Sequence, residues 1–394
     1  MKKMDTAERR RRLQIRHRLT SDRRSNDVAT VADSVVALHA TDPATVYLSA
    51  WARMTTGGQP AIADAIYRQK RLVRMMGMRP TMFVVATDLA PVVHASSSLG
   101  VAVTQRKRLL THLEQADITE DAERWLDEVS ASTVAALTRR GRAGATELVA
   151  DEPRLNATLE LTPDKAYAAP QKVTSRVLTI LALEGRIVRG APQGGWTSNR
   201  NEWWPAAGWM PGGFGDLDPA QARMELVRRW LAAFGPAPIA DLTWWTGWTL
   251  GQVRTALKSI ATVEVELDGT TGLVLADDLD RTAEPEPAAA LLPALDPTPM
   301  GWVQRDWFLG DHRERLFDRT GNIGPTILWQ GRVVGGWAQR ADGEIRLELL
   351  EDIGSDGRDA VEARSQELAT WLGALRFIPR FRTPLEKELS TVQR

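Results

Sequence analysis

Three times along this 394-residue chain a pair of helical stretches is followed by a pair of extended stretches around a polar tip. That repeated order constrains the fold more than any other feature, because helix, turn, helix and hairpin in succession is the grammar of a winged helix. The first copy is the opening stretch followed by "AIADAIYRQKRLVRMMGMRPTMFVVAT". The second begins at "GRAGATELVADEP", continues as "APQKVTSRVLTILALEGRIVRG" and closes on "GGWTSNRNEWW" as its wing. In the third, "FGPAPIADLTWWTGWTLGQVRTALKSIATVEVELDGTTGLVLADD", Pro238 opens a helix, Gly247 ends it, and Leu250, Val253, Leu257 and Ile260 fall at core spacing in the next. An Asp-Gly turn then joins two alternating strands. From residue 283 the composition shifts, with five prolines between Pro285 and Pro299 reading as a linker. Beyond it come three strands with turns at Gln330-Gly331 and Asp342-Gly343, then a helix ending near Phe377. The expectation is an α+β chain: a first winged helix with a basic arm and extra helices (1–140), a second (141–236), a third (237–284), and a Pro-rich linker with a small antiparallel sheet or barrel (285–394).

The chain carries 43% apolar residues, ample for a core, and no cysteine, which excludes disulfides and thiolate chemistry and suits a reducing cytoplasm. No apolar run is long enough to cross a bilayer, so a soluble intracellular protein is expected. Formal net charge is zero, yet residues 1–24 hold ten Lys or Arg against three Asp or Glu. This local +7 reads either as an arm that touches phosphates or as a solvated tail. Lys172 with Arg176, and Arg254 with Lys258, are spaced as basic flanks of helices, which suit phosphate contacts. The five histidines show no metal-ligand spacing, and neither metal nor nucleotide cofactor is expected. Trp203 and Trp204, beside the second wing, are candidates for a wedge into DNA, with Arg200 near the same tip a candidate minor-groove contact.

The stretch "VADSVVALHATDPATVYLSAWARM" joins two helices. Val31, Val35 and Leu38 share one helical face, which puts His39 at its edge and half buried. Pro43 forbids continuation, so Asp42 or Thr41 caps the next helix, whose buried stripe is Ala44, Tyr47, Leu48 and Trp51. Spacing alone reads this as a capped helix break.

The same segment resembles the "Q-x-Q-D-P" or "Q-x-D" junction of the helix-turn-helix 42 superfamily, the AlkZ-like and YcaQ-like bacterial DNA glycosylases. "GRIVRG" with "GGWT", "GPAPIADLTWWTGWTLGQVRTAL", "LLPALDP" and "GRVVGGW" are similar to that family's segments in the family's order. The resemblance implies tandem winged helices in a C-shaped arrangement with a C-terminal β-barrel. It also implies excision of N7-alkylated purines, including bulky adducts and interstrand crosslinks left by genotoxic natural products. His39 then stands in the place of the first catalytic glutamine and Thr41 in that of the second Gln or Asp, while Asp42 and Pro43 match. A His-x-Thr pair would place a water, the His39 imidazole accepting its proton or orienting it and the Thr41 hydroxyl holding the same water. No lysine stands in the motif, so the glycosylase would be monofunctional, acting as a monomer on damaged double-stranded DNA at the nucleoid. Two other readings remain: a winged-helix regulator, and a family member that binds damaged DNA without cutting it.

Overall fold

The computed structural model describes residues 1–159 and 170–391. Helix α1 (Thr6–Arg16) is capped by Asp5, whose carboxylate accepts from the Glu8 amide. α2 (Val28–Ser34) is followed by Val36 at φ 63°, a left-handed conformation costly for a β-branched residue, and by the two-residue strand β1 (Leu38–His39). Then come α3 (Pro43–Arg53) and the hairpin β2 (Leu72–Met76) and β3 (Met82–Ala86). Two long helices, α4 (Leu99–Gln115) and α5 (Ala122–Arg140), lead to α6 (Thr174–Leu183) and a second hairpin, β4 (Ile187–Pro192) and β5 (Asn201–Pro205).

The two hairpins form one five-stranded sheet in the order β1-β3-β2-β4-β5, joined where Arg74 of β2 faces Arg189 of β4. This merger of the first two units was not visible in the sequence, since each hairpin reads as complete by itself.

Helix α7 (Pro219–Phe234) precedes the third unit: α8 (Ile239–Thr246), α9 (Leu250–Leu257), β6 (Thr262–Leu267) and β7 (Thr270–Leu275). Gly247 ends α8 in the left-handed region at φ 73°, and the Asp268-Gly269 turn has positive φ at both positions, as a tight hairpin requires. Leu250, expected in the core, is 43% exposed, because it opens α9 on the solvent side while Val253 and Ala256 carry the buried face.

The basic arm is not a tail. Lys2–Lys3 pairs parallel with β6, and α1 is docked through its arginines. Arg12 Nε donates to Glu8 (2.7 Å) and its Nη1 to Asp278 (2.9 Å). Arg16 meets Asp278 at 2.7 Å, Arg11 meets Glu284 at 3.0 Å, and Arg10 donates to the Trp307 carbonyl. The local +7 is partly neutralised inside the molecule, and the arm is docked on the third and C-terminal regions instead of free.

The proline-rich stretch is likewise only partly a linker. Residues 283–288 are largely exposed, but β8 (Ala289–Leu292) is buried throughout, because it pairs antiparallel with β9 (Thr326–Trp329). With β10 (Arg332–Gln339) and β11 (Ile345–Leu349) this makes a four-stranded sheet in sequential order. The sheet is open, with no pairing between β8 and β11 among the described residues, so the expected barrel is corrected to an open antiparallel sheet covered by α10 (Gly354–Leu372).

One apolar core runs from Leu13 to Leu385 and is shared by the first, third and C-terminal stretches, while Leu109 to Trp203 contribute a second. At the centre of the first lies an ion pair with both side chains at 0% exposure: Arg53 Nη2 to Asp296 Oδ1 at 2.6 Å and Nη1 to Oδ2 at 2.8 Å. Ser49 Oγ also donates to Asp296 (2.6 Å), and Thr298 Oγ1 accepts from Arg53 (2.7 Å) and meets His17 Nδ1 (2.8 Å). Removing one partner of a fully buried pair strands the other charge, at a cost of roughly 3–5 kcal/mol. Asp296→Ala should therefore lose about that much stability in urea titrations, and a loss under 1 kcal/mol would show that the pair does not hold these segments together.

Candidate active site

The junction is built from the sheet outward. β1 pairs antiparallel with β3, Leu38 facing Val84 and His39 facing Phe83, and the ladder extends to Ala40, whose amide donates to the Met82 carbonyl (2.8 Å). His39 is therefore on a strand and not at the edge of a helix, and at 5% exposure it is buried where half burial was expected. Nothing in "VVALH" announces the change, since the same residues continue a helical face; pairing with β3 decides it. The ring packs edge-on to Phe83, with centroids 5.5 Å apart, and Nδ1 is buried without a partner. Burial, with the nearby Arg79 charge, pushes the imidazole pKa down to about 3, against a smaller opposing pull from Asp296. His39 is consequently neutral at every ordinary pH.

Asp42 caps α3 as expected, its Oδ1 accepting from the Ala44 amide (3.1 Å) with Pro43 in the first turn. Its Oδ2 accepts from the Arg380 amide (2.8 Å), so both oxygens are committed, and burial holds the carboxyl above its usual range. The stripe of Ala44, Tyr47, Leu48 and Trp51 is buried, as is the rest of α3. Thr41 is half buried in the bend between strand and helix.

Behind the junction stands a pair of cations that the sequence reading missed. Arg74 Nη2 donates to the Ala40 carbonyl (2.9 Å) and Nη1 to Asn201 Oδ1 (2.8 Å), so it holds the peptide between His39 and Thr41. Arg189, 9% exposed, lies against it and stacks on Trp203 with 4.7 Å to the ring centroid. Burial and the Arg74 charge lower the Arg189 pKa to about 9. Facing residues in an antiparallel pair share a side of the sheet, so Leu38, Val84, Arg74, Arg189 and Trp203 line one face and His39 and Phe83 the other. The signal was present: in "LVRMM" and "IVRG" an arginine interrupts an apolar strand.

The tip of the β4-β5 hairpin reaches across to the C-terminal region. Trp196 packs edge-on to Tyr47 (5.3 Å) and lies 6.3 Å from Trp371 and 6.1 Å from Phe377. Arg200 is exposed in the same loop. Trp203, one of the candidate wedges, is 8% exposed and covered by the Arg189 guanidinium. Trp204 is half buried, with Lys70 4.4 Å from its ring centroid.

Arg254 and Lys258 are exposed together on α9, as spaced. Lys172 and Arg176 do not form the second such flank. Lys172 lies on the short strand Gln171–Lys172 ahead of α6, its ammonium donating to the Asn156 carbonyl (2.9 Å), and Arg176 donates to Gln171 (2.8 Å). Among the described residues no group of three or more His, Asp or Glu side chains is placed to hold a metal ion, and no helix is long and apolar enough to cross a membrane.

A family model described as "DNA glycosylase AlkZ-like" matches residues 32–371, most of the chain and the whole junction. The chain belongs to the AlkZ-like DNA glycosylase family. Among solved structures the DNA glycosylase AlkZ of Streptomyces sahachiroi is similar, at 20% identity over 94% of this chain and 97% of that one, with a TM-score of 0.70. Likeness at that identity establishes a shared fold. No curated protein sequence matches the chain.

The buried histidines make a pH signature. His17, bonded to Thr298 and the Ala233 carbonyl, is pushed by burial down to about 3, like His39. Each binds a proton near pH 6.5 when unfolded but only near pH 3 when folded, so the unfolded state holds more protons between those values. Stability should be fully present above about pH 6.5 and fall as pH drops from there toward 3. The two histidines together should contribute about two protons to the slope of urea stability against pH across that window, and His39→Gln should reduce the measured slope by about one. A slope indifferent to that substitution would mean that the ring is protonated, and hence solvated, in the folded protein.

Proposed function

We propose that this protein is a monofunctional DNA glycosylase that hydrolyses the N-glycosidic bond of N7-alkylated purines in double-stranded DNA, bulky adducts and interstrand crosslinks among them. What supports the reading is the family match over residues 32–371, which takes in His39, Thr41, Asp42 and Pro43. In this reading the helix-and-hairpin units at 1–140, 141–236 and 237–284 are tandem winged helices in a C-shaped arrangement, and Arg200, Arg254 and Lys258 contact the backbone or minor groove.

An N7-alkylpurine carries a positive charge, so the leaving group is already activated. As the bond from the base nitrogen to C1′ breaks, its electron pair returns to the purine and neutralises that charge. A water adds to the oxocarbenium-like sugar carbon and passes its proton to bulk water, leaving an abasic site. His39 and Thr41 hold that water. With its pKa near 3 a neutral His39 is a poor proton acceptor, so it orients the water through hydrogen bonds instead of acting as the base. Arg74 fixes the intervening Ala40 carbonyl and thereby the spacing of the pair. Asp42 has both oxygens occupied by backbone amides and serves the fold.

The 5% exposure of His39 favours a second reading, a family member that binds damaged DNA without cutting it. The two separate in one assay. Duplex DNA containing N7-methylguanine is incubated with the protein and heated briefly in alkali; the glycosylase produces breaks at abasic sites above the level of the protein-free control, and the silent binder leaves that level unchanged.

In that assay His39→Ala and Thr41→Ala should each slow single-turnover excision by about tenfold to a hundredfold, the range expected for losing one positioning contact, and His39→Gln should retain more activity than His39→Ala. Because His39 stays neutral down to about pH 4, the rate should be level between pH 8 and 5. A fall centred near pH 6.5 would show instead that His39 is solvated and acts as a base.

A further inference from the structure

Away from the junction, a groove with two arginines in its walls runs between the start of α4, the start of α7 and helices α8 and α9. It consists of two compartments of about 460 Å³ each, which share Arg223 and Gln252 in their walls. One is lined by Arg79, Ser96, Ser97 and Thr104, the other by Thr249, Thr255 and Ser259 of the third unit. No Asp or Glu stands in either wall among the described residues.

Both arginines are held in place with capacity to spare. Arg79 sits at the tip of the β2-β3 hairpin at φ 50°, a left-handed conformation that a non-glycine residue adopts at a cost. Its guanidinium stacks on Trp244 with 4.0 Å to the ring centroid, and its backbone amide donates to the Thr246 carbonyl. Arg223 lies over Trp248 (5.9 Å), whose indole N–H donates to Ser97 and so pins the groove floor. The Nε of each arginine is buried without a hydrogen-bond partner. A half-buried guanidinium with open donors and no carboxylate near it is poorly compensated in the free protein. An anion in the groove would compensate both charges.

We infer that this groove binds the phosphodiester backbone of one DNA strand, with Arg79 and Arg223 as the charged contacts and the Ser, Thr and Gln side chains as neutral donors. Two connected compartments fit a run of successive phosphates better than a single small anion. Arginines, hydroxyls and amides set among apolar side chains, with no carboxylate in the walls, are the chemistry of backbone contacts, which position a duplex without reading its sequence. Two further observations extend the track. Arg254 and Lys258 are exposed on α9, the helix that carries Gln252, Thr255 and nearby Ser259. At the other end, Arg79 stands in the turn of the β2-β3 hairpin, whose strand β3 pairs with β1 at His39, so this end of the groove belongs to the same hairpin as the junction. The inference rests on the glycosylase reading for the choice of DNA, but its readout does not involve excision.

The test is equilibrium binding of a fluorescent undamaged duplex at 50–200 mM NaCl, using the full chain and the variants Arg79→Gln, Arg223→Gln, both together, and Arg79→Lys and Arg223→Lys. Each neutral substitution should weaken binding by about fivefold to tenfold and reduce the slope of log affinity against log salt by about one, equally for unrelated sequences, while the lysine variants keep most of the slope. Thermal midpoints show whether a variant is folded; if Arg79→Gln is not, Arg223→Gln alone carries the result. Unchanged slope and affinity in a folded Arg223→Gln would overturn the proposal. So would stabilisation of the wild type by inorganic phosphate or a mononucleotide, lost in Arg223→Gln with duplex binding intact, since that marks a small-anion pocket. Failure of the wild-type protein to excise N7-methylguanine would sink the glycosylase reading and leave the salt slopes to judge the groove.

Discussion

The arrangement of the molecule depends on the bidentate contact between Arg53 and Asp296, made where neither side chain meets water. Arg53 is the last residue of α3, the helix whose first turn carries the candidate junction, and Asp296 follows β8 in what looked like a linker. Ser49, Thr298 and His17 complete the set, and His17 in turn reaches the end of α7 through the Ala233 carbonyl. Four stretches distant in sequence meet at one polar cluster. In a low-dielectric interior a satisfied network of this kind tolerates little displacement, because any shift leaves a charge or a donor unpaired. α3 is thereby fixed at its C-terminal end, and Asp42 with the Arg380 amide fixes the other.

Charge is distributed by the same logic. Arginines of α1 face Glu8, Asp278 and Glu284, so the most basic stretch of the chain works as a strap across the third and C-terminal regions. Among the described residues Arg74, Arg189, Arg79 and Arg223, on or near the sheet and the groove, are cations with no carboxylate in ion-pair contact. A neutral protein meets a polyanion through local fields, so what matters is where compensation is missing. Here it is missing beside the junction and along the groove.

Much of the element order was legible. The hairpins around Asp268-Gly269 and Gln330-Gly331, the capping of α3 by Asp42 and the end of α8 at Gly247 each depend on a residue whose backbone preference is local, and local preferences are readable in one dimension. The strand at His39 was not legible, because "VVALH" satisfies a helical pattern as well as an extended one. Lys172 was placed on a helix that begins after it, since basic spacing was read without a start signal. The proline-rich stretch misled because proline is confined to strand edges and turns, and β8 is an edge strand with its prolines at either side.

The sequence by itself determined the repeated helix-and-hairpin order, the cap and break at Asp42-Pro43, and the family through an ordered set of short segments. The tertiary structure decided which of those segments share a surface. Fusion of two hairpins into one sheet set Arg74 beside Arg189 and put His39 on the opposite face, and docking of α1 removed its charge from solvent. The division has a physical cause. Turns and caps are settled by backbone sterics and hydrogen bonds within a few residues, whereas strand partners and ion-pair partners are chosen from the whole chain by burial and register, which no local pattern contains.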